Sequence, residues 1–454
     1  MKERIRLSDH FTYQKLFRFV LPSIIMMVFT SIYSIVDGFF VSNFTGPIQF
    51  AALNLIFPLI MVFGSVGFML GTGGNAIVSK TLGEGDPEKA NRIFSMLIYT
   101  TIVIGAILSL IGILIARPVA VLFAETEQTL SAEEKAKLIE YCVLYARIIL
   151  VALPAFMLQN AFQGFFVTAE KPRLGLYITI LAGVGNIIFD ALFVAVFKFD
   201  LAGAACATAL NQLIGGIIPI FYFGRKNNSL LRLCKTNFDI KVLGKVCVNG
   251  LSELMTNVSM SLIGILFNMQ LMKYLGIDGV SAYGIMLYIG FIFVGIFIGY
   301  SFGCAPIIGY HYGAQNREEL KNIFKKSACS LLVSGILMTL ISVVFAKALS
   351  SIFVREPELL ALTTHGLQLY SLGFLVCSFN IFGSAFFTAL SNGGVSLLIS
   401  FSRTLVCQTA AILILPGLMG GADGIWLSVP MAELVSLFFT AILVLLYRKR
   451  YGYL

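Results

Sequence analysis

Two carboxylates and two polar side chains stand inside runs that are otherwise apolar: Asp37, Asn186, Asp190 and Thr208. Asp190 interrupts "GNIIFDALFV", and Asp37 interrupts "SIYSIVDGFFV". A charge at the centre of a hydrocarbon layer costs roughly 2.5–3.5 kcal/mol on insertion scales. Such a group therefore faces a cavity or a partner. Two carboxylates held close in a low-dielectric setting cannot both stay charged, so one carries a proton or the pair shares a cation. Asn186 precedes Asp190 by four residues, which places both on one helix face. The chemistry this set offers is reversible binding of a proton, or of a small cation such as Na+ through oxygen ligands.

Four more ionisable residues lie within apolar runs: Arg147, Glu253, Arg403 and Glu433. They form a second candidate set, with a secondary coupling or substrate role, or structural pairing, as the alternatives. The chain also lacks the usual catalytic signatures. No G-x-x-x-x-G-K-[ST], H-E-x-x-H or G-x-S-x-G occurs, so no phosphate loop, zinc-protease site or nucleophile elbow is encoded. The eight cysteines are scattered without a C-x-x-C pair and read as small apolar fillers. The three histidines are far apart in sequence. The expectation is a protein that is no enzyme and has no cofactor or metal beyond a coupling ion.

The elements that must position these residues are membrane spans. The 454 residues are 58% hydrophobic and 12% charged, against about 45–50% and about 25% for a soluble domain. Apolar runs of about 20 residues, enough to cross about 30 Å of hydrocarbon, recur along the chain. They fall at 15–42, 50–77, 93–116, 138–161, 174–197, 201–224, 243–272, 279–307, 324–346, 362–389, 395–416 and 424–447. The first run is too long for a cleavable signal and has no A-x-A site after it, so it is expected to remain as a span.

The net charge of +9 reports orientation rather than nucleic-acid binding. On alternating loops, 23 Lys and Arg fall on the side of the termini and 7 on the other. That asymmetry predicts both termini in the cytoplasm. Depth then groups the candidates. Asp190 lies about 24 Å along the fifth span and Asp37 about 30 Å along the first, so both belong to the outer half of the layer. Thr208, in the sixth span, lies about 10–12 Å from the outer surface. Glu253 and Arg403 each lie about 12–15 Å in from the cytoplasmic side and are expected to pair. Arg147 and Glu433 sit near mid-depth.

The chain repeats itself. Leu82–Phe94, "LGEGDPEKANRIF", is echoed by Tyr312–Phe324, "YGAQNREELKNIF", 230 residues later. "FFVTA" at 165–169 is echoed by "AFFTA" at 385–389. Spans 1–6 and 7–12 therefore read as two copies of one six-helix unit. An even number of spans makes the copies parallel, related by a pseudo-twofold along the membrane normal. The predicted architecture is an all-α polytopic membrane protein of twelve spans in two lobes. Residues 1–224 form the N-terminal lobe, 225–241 a cytoplasmic linker and 242–454 the C-terminal lobe. Rocking of the lobes would open an intervening cavity to either side. Gly64, Gly67 and Gly71, and likewise Gly295, Gly299 and Gly303, line helix faces suited to close packing. Pro22, Pro58, Pro154, Pro219, Pro306 and Pro430 fall inside spans, where each favours a kink or hinge.

These motifs together resemble the multidrug and toxic compound extrusion (MATE) transporters, across essentially the whole chain. The resemblance rests on "LPSIIMMVFTSIYSIVDGFFV", on "GTGGNAIVSKTLGEGDPEKA" with its G-x-x-x-x-x-S-x-x-x-G-x-x-x-x-x-x-A pattern, and on "GNIIFDALFV" followed by "GAACATALNQ". Within the family the sequence is most similar to the prokaryotic DinF/MepA-like branch. The G-x-x-x-D-R-x-G-R-R loop of major facilitator transporters is absent. The resemblance implies a monomeric secondary antiporter in the plasma membrane. It would export amphipathic, often cationic compounds against inward H+ or Na+, with no nucleic-acid partner. It puts the coupling cation at Asp37, Asn186, Asp190 and Thr208, and a hinge at Pro22. Glu253 resembles a glutamate of the NorM-type branch, but "LQLYSLGFLVCSFNIFGSAFF" in span 10 supplies no partner aspartate. Two alternatives are a lipid-linked precursor flippase or polysaccharide exporter of the same superfamily, and a non-transporting membrane sensor. The first would favour more basic residues in the cavity than Arg147 and Arg403. The second would tolerate Asp190→Asn.

Overall fold

The computed structural model describes residues 5–126 and 131–454. Lys2 and Arg4, counted in the N-terminal charge, lie outside the described residues. In chain order the helices begin with α1 (Tyr13–Phe44), α2 (Pro47–Gly83), α3 (Pro87–Thr126) and α4 (Ala132–Val151). Next come α5 (Leu153–Thr168), α6 (Pro172–Asp190), α7 (Asp200–Gly224) and α8 (Ile240–Gly313). α9 (Arg317–Val344), α10 (Ala346–Ser351), α11 (Pro357–Tyr370) and α12 (Phe374–Ala389) follow. The chain closes with α13 (Gly393–Phe401), α14 (Gln408–Leu418) and α15 (Ala422–Tyr451). No strand occurs among the described residues.

Among the described residues, ten helices are long and apolar enough to cross a membrane, and an eleventh span forms if the bent pair α4 and α5 counts as one. α8 holds two spans, because Gly276 (φ 64°, ψ −152°) breaks its helical path. Only glycine adopts that backbone readily. Dividing α8 there completes the twelve expected spans of an all-α polytopic fold. The fourth expected span is not a single rod: it bends by 53° between α4 and α5. Pro154 opens α5 there, in the first turn, where its missing N–H leaves no helical bond unmade.

The repeat carries local geometry as well as sequence. Asp86 caps α3 by accepting from the Lys89 N–H at 2.9 Å. Asn316, 230 residues on, caps α9 by accepting from the Glu319 N–H at 3.0 Å. The residue before each cap, Gly85 and Gln315, has positive φ. The second echo also closes the same way. Glu170 and Ser391 have φ of 57° and 58°. The following amides, of Lys171 and Asn392, donate to the Phe166 and Phe387 carbonyls at 2.8 and 2.9 Å. This sets the structural register one residue away from the "FFVTA"/"AFFTA" match, because the left-handed residue closing the turn, not the Thr-Ala pair, fixes the alignment.

By packing, the chain forms two compact units that do not follow the repeat boundary. One comprises residues 1–28, 79–85 and 251–454, and the other 29–78 and 86–250. In the first unit, Leu7 and Phe11 are fully buried. The Phe11 N–H donates to Glu319 Oε1 at 2.8 Å, and His10 Nδ1 lies 2.6 Å from Glu319 Oε2. Asn322 Nδ2 and Lys326 Nζ both donate to the Phe11 carbonyl, at 3.0 and 2.6 Å. The segment before α1 is thereby strapped onto the start of α9.

Also in this unit, the end of α2 crosses the end of α8 with a reciprocal fit. A Cβ on Gly83 would collide with the Tyr310 carbonyl, and one on Gly313 with the Lys80 carbonyl. Gly299 and Gly303 admit the α1 backbone at Ser23–Ile24 and at Val20 in the same manner. Gly313→Ala is expected to lower the denaturant midpoint, at a cost on the order of 1–3 kcal/mol for overpacking. Gly264, whose Cβ would meet nothing within 4 Å, supplies the control. Equal midpoints for Gly313→Ala and Gly264→Ala would contradict so tight a crossing.

In the second unit, Gly64, Gly67 and Gly71 seat α2 against Phe156, Met157 and Ala161 of α5. Gly73 and Gly250 bring α2 against the start of α8, with Gly73 on the Val246 carbonyl and Gly250 on the Met69 carbonyl. The basic stretch 225–241 lies along α3 rather than hanging free. Its Arg232 and Cys234 amides donate to Asn91 Oδ1 (2.7 Å) and Ser95 Oγ (2.9 Å).

Candidate functional site

The second unit gathers the four residues of the acidic set. Asn186 and Asp190 occupy one face of α6, where Asn186 Nδ2 donates to Asp190 Oδ2 at 2.9 Å. Asp190 is fully buried and Asn186 nearly so. Asp37 comes from the second half of α1, and Thr208 from α7 donates to its Oδ1 at 3.4 Å. The side chains of Asp190 and Asn186 also lie near the Asp37 carboxyl. Asp190 Oδ1 is buried and accepts from no donor among the described residues. A proton shared between the two carboxyls, or a cation held by both, would satisfy that oxygen. Without one of these, two negative groups face each other in apolar surroundings.

α6 does not end cleanly at Asp190. It passes into a π-helical turn, Ala191–Val196, that carries the chain to α7. Wide turns of this kind are frequent at functional sites. A second such turn, Ser402–Cys407, joins α13 to α14 and contains Arg403. Both candidate sets therefore adjoin an irregular turn, which nothing in the hydropathy pattern announces.

Two tyrosines join the acidic set. Tyr33, one turn before Asp37 on α1, lies near Asn211 and close enough to feel the Asp37 charge. Tyr145 of α4, buried, lies close enough to feel both Asp37 and Asp190. Spacing could have found Tyr33, four residues from Asp37, and Asn211, three from Thr208. No sequence signal points to Tyr145.

The second candidate set divides differently from expectation. Arg403 pairs with Glu433, not Glu253: its Nε lies 2.8 and 3.0 Å from the two Glu433 carboxylate oxygens. Asn380 of α12 completes the cluster, donating to Glu433 Oε2 at 2.8 Å and to its carbonyl at 2.9 Å. Thr440 donates to Asn380 Oδ1 at 2.9 Å. Glu253 is half-buried and meets Arg403 only as a nearby charge. Depth placed Glu253 and Arg403 level with each other, but the rotation of α8 and α15 decides which carboxylate faces the guanidinium. Arg147 is exposed on α4, on a face with Leu144 and Val151, and no carboxylate pairs with it among the described residues. α1 runs unbroken through Pro22.

Among the described residues, no cluster of three His, Cys, Asp or Glu side chains could hold a metal ion. The acidic set instead combines two carboxylates with an amide and a hydroxyl. Such a donor set suits a proton or one small monovalent cation and offers no thiolate or imidazole to a transition metal.

Comparison with known proteins follows the same lines. The MatE family model matches residues 22–192 and 254–412. A multidrug export protein, MepA, of Staphylococcus haemolyticus (strain JCSC1435) is 25% identical over 447 residues, covering 96% of this chain and 94% of the relative. A crystal structure of MATE in the straight conformation superposes with a TM-score of 0.89 at 20% identity, covering 97% of this chain and 98% of that one. The outward-facing structure of a multidrug resistance MATE family transporter gives 0.87 at 20% identity, covering 99% of both chains.

Proposed function

The chain belongs to the MatE family, whose members are membrane transporters and not enzymes, and from that premise we propose that it is a secondary antiporter. It exports amphipathic, cationic organic compounds in exchange for an inward cation, H+ or Na+. The observation that carries this reading is the oxygen cluster of Asp37, Asn186, Asp190 and Thr208, with a buried carboxylate oxygen that a proton or cation would satisfy. The relative named as a multidrug export protein, which matches along nearly its full length, supports the substrate class.

In this reading the protein sits in the plasma membrane as a monomer, with both termini in the cytoplasm. The excess of Lys and Arg on that side supports the orientation. Ion binding at Asp37 and Asp190 favours one arrangement of the transporter and substrate binding the other, so each expels its rival. Pro22, which interrupts the hydrogen bonding of α1 fifteen residues before Asp37, serves as the hinge. Glu253 is the secondary titratable group, close to the charge of Arg403 and without the bonds that fix Glu433.

The test is made in proteoliposomes loaded with an ethidium-type dye. The pH gradient and the sodium gradient are imposed separately. Dye movement against its own gradient is expected under one of them. No movement under either would overturn the antiporter reading.

A further inference from the structure

The polar face that carries the acidic pair continues beyond it. On α6, Thr179, Gly183, Asn186 and Asp190 follow at steps of four, three and four residues, so they share one face, and all four are buried. On α7, Thr208, Asn211, Gln212 and Gly215 follow at helical spacing and make a second stripe. α5 contributes Gln159, Asn160 and Gln163. The amides of α5 and α7 and Thr179 are only 3–7% exposed.

They are not a closed hydrogen-bonded cluster. Asn160 Nδ2 and Gln212 Oε1 are buried with no partner among the described residues. Buried polar atoms of native proteins are rarely left so, and water is the usual partner that protein atoms do not supply. Room for a water lies nearby, on residues of the same three helices and next in sequence to Asn160. Gln159, Gln163, Thr179 and Gly215, with the rings of Phe162 and Phe166, line a partly open cavity of about 10 Å³. That is close to the minimum of ~10–15 Å³ for a single water. The absence of a side chain at Gly215 matters here, because a Cβ would fall on the Gln159 amide. The cavity lies about 16 Å along α6 from Asp190 and about 10 Å from the first turn of α6, at 1.5 Å per residue.

We propose that this stripe is a proton-release route, wetted by single water molecules, from the Asp37–Asp190 pair to the N-terminal end of α6. It lies wholly within one compact unit. The inference rests on the antiporter reading and deepens it by giving the proton a way out. No carboxylate lines the cavity to balance the charge of a passing sodium ion.

The Asp190 carboxyl gives its proton to a neighbouring water, which leaves a carboxylate and a hydronium. The excess proton then passes from water to water. The Gln and Thr oxygens accept hydrogen bonds from it without being protonated, and it leaves on the side of the termini. Asn211 Oδ1, buried and without a partner among the described residues, stands at the upper end of the stripe, one helical step from Thr208, which bonds Asp37.

Thr179→Val and Gln163→Leu remove polar lining at nearly constant volume. The experiment is a pH jump on the full-length protein in detergent, without dye, followed by the infrared C=O stretch of the protonated carboxyl. The double variant is expected to lose that band about tenfold more slowly, equivalent to ~1.4 kcal/mol of lost proton solvation. Its final amplitude and its thermal midpoint should match the wild type, and pH-driven dye export should slow in proportion. An unchanged rate in a normally folded double variant overturns the route. A wild-type protein with no titrating carboxyl band, or an Asp190→Asn protein with full pH-driven export, would instead remove the acidic pair from coupling and take the route with it.

Discussion

Asp190→Asn is expected to reduce ion-driven dye export to background, a loss of at least about 100-fold. An amide of the same shape cannot exchange a proton. The ion then no longer distinguishes the two transport states, and a differential of roughly 2.7 kcal/mol or more disappears. The fold should survive, because the substituted amide fits the same buried space and its carbonyl can still accept from Asn186. Dye binding at equal pH on both sides should persist, since no feature of the acidic set requires contact with substrate. Asp37→Asn should act in the same direction. Asp37 is the half-buried member and shares the proton with Asp190. Normal coupling in the double Asn variant would dismiss the cluster as the ion site.

The second large effect concerns stability. Glu433→Gln leaves the Arg403 guanidinium charged and without its partner in apolar surroundings. Glu433 and Arg403 side chains are 3% and 16% exposed, so little solvent compensates. Removing one member of a buried pair typically costs about 3–5 kcal/mol. A denaturant titration in detergent should read this as a lower midpoint with the slope retained. Arg403→Met/Glu433→Leu removes both charges and should recover at least half of the loss, because a buried pair replaced as a unit is often neutral. If the double variant is no better than the single one, an unpaired charge is not the cause. Glu253→Gln should be mild by comparison, because Glu253 forms no ion pair with Arg403.

These two expectations also mark what the sequence can and cannot convey. The acidic cluster was legible because two coordinates sufficed. Helix depth brought Asp37, Asp190 and Thr208 level, and the four-residue step put Asn186 beside Asp190. The repeat was legible because its punctuation is chemical: Asp86 and Asn316 are both capping residues at the same place in each copy. The partner of Arg403 was not legible, because depth says nothing about rotation around a helix axis. For the same reason Arg147 could not be assigned to an exposed face, nor Tyr145 to the acidic pair. The two π-helical turns change that rotation locally, after Asp190 and at Arg403, and leave no compositional trace. Hydropathy also drew spans seven and eight as separate runs, yet Gly276 alone parts them. A single left-handed glycine stands where a loop was expected.

The strap before α1 sets an order of events in time. Phe11 is bound by Glu319, which lies 308 positions later in the chain. At about 5–20 residues per second, the first span waits roughly 15–60 s after synthesis before its clasp exists. During that interval Leu7 and Phe11 lack the α9 side of their enclosure, although they end fully buried. The beginning of this protein is therefore among the last parts to reach its place, and a chain that stops short of α9 is born with its front end undone.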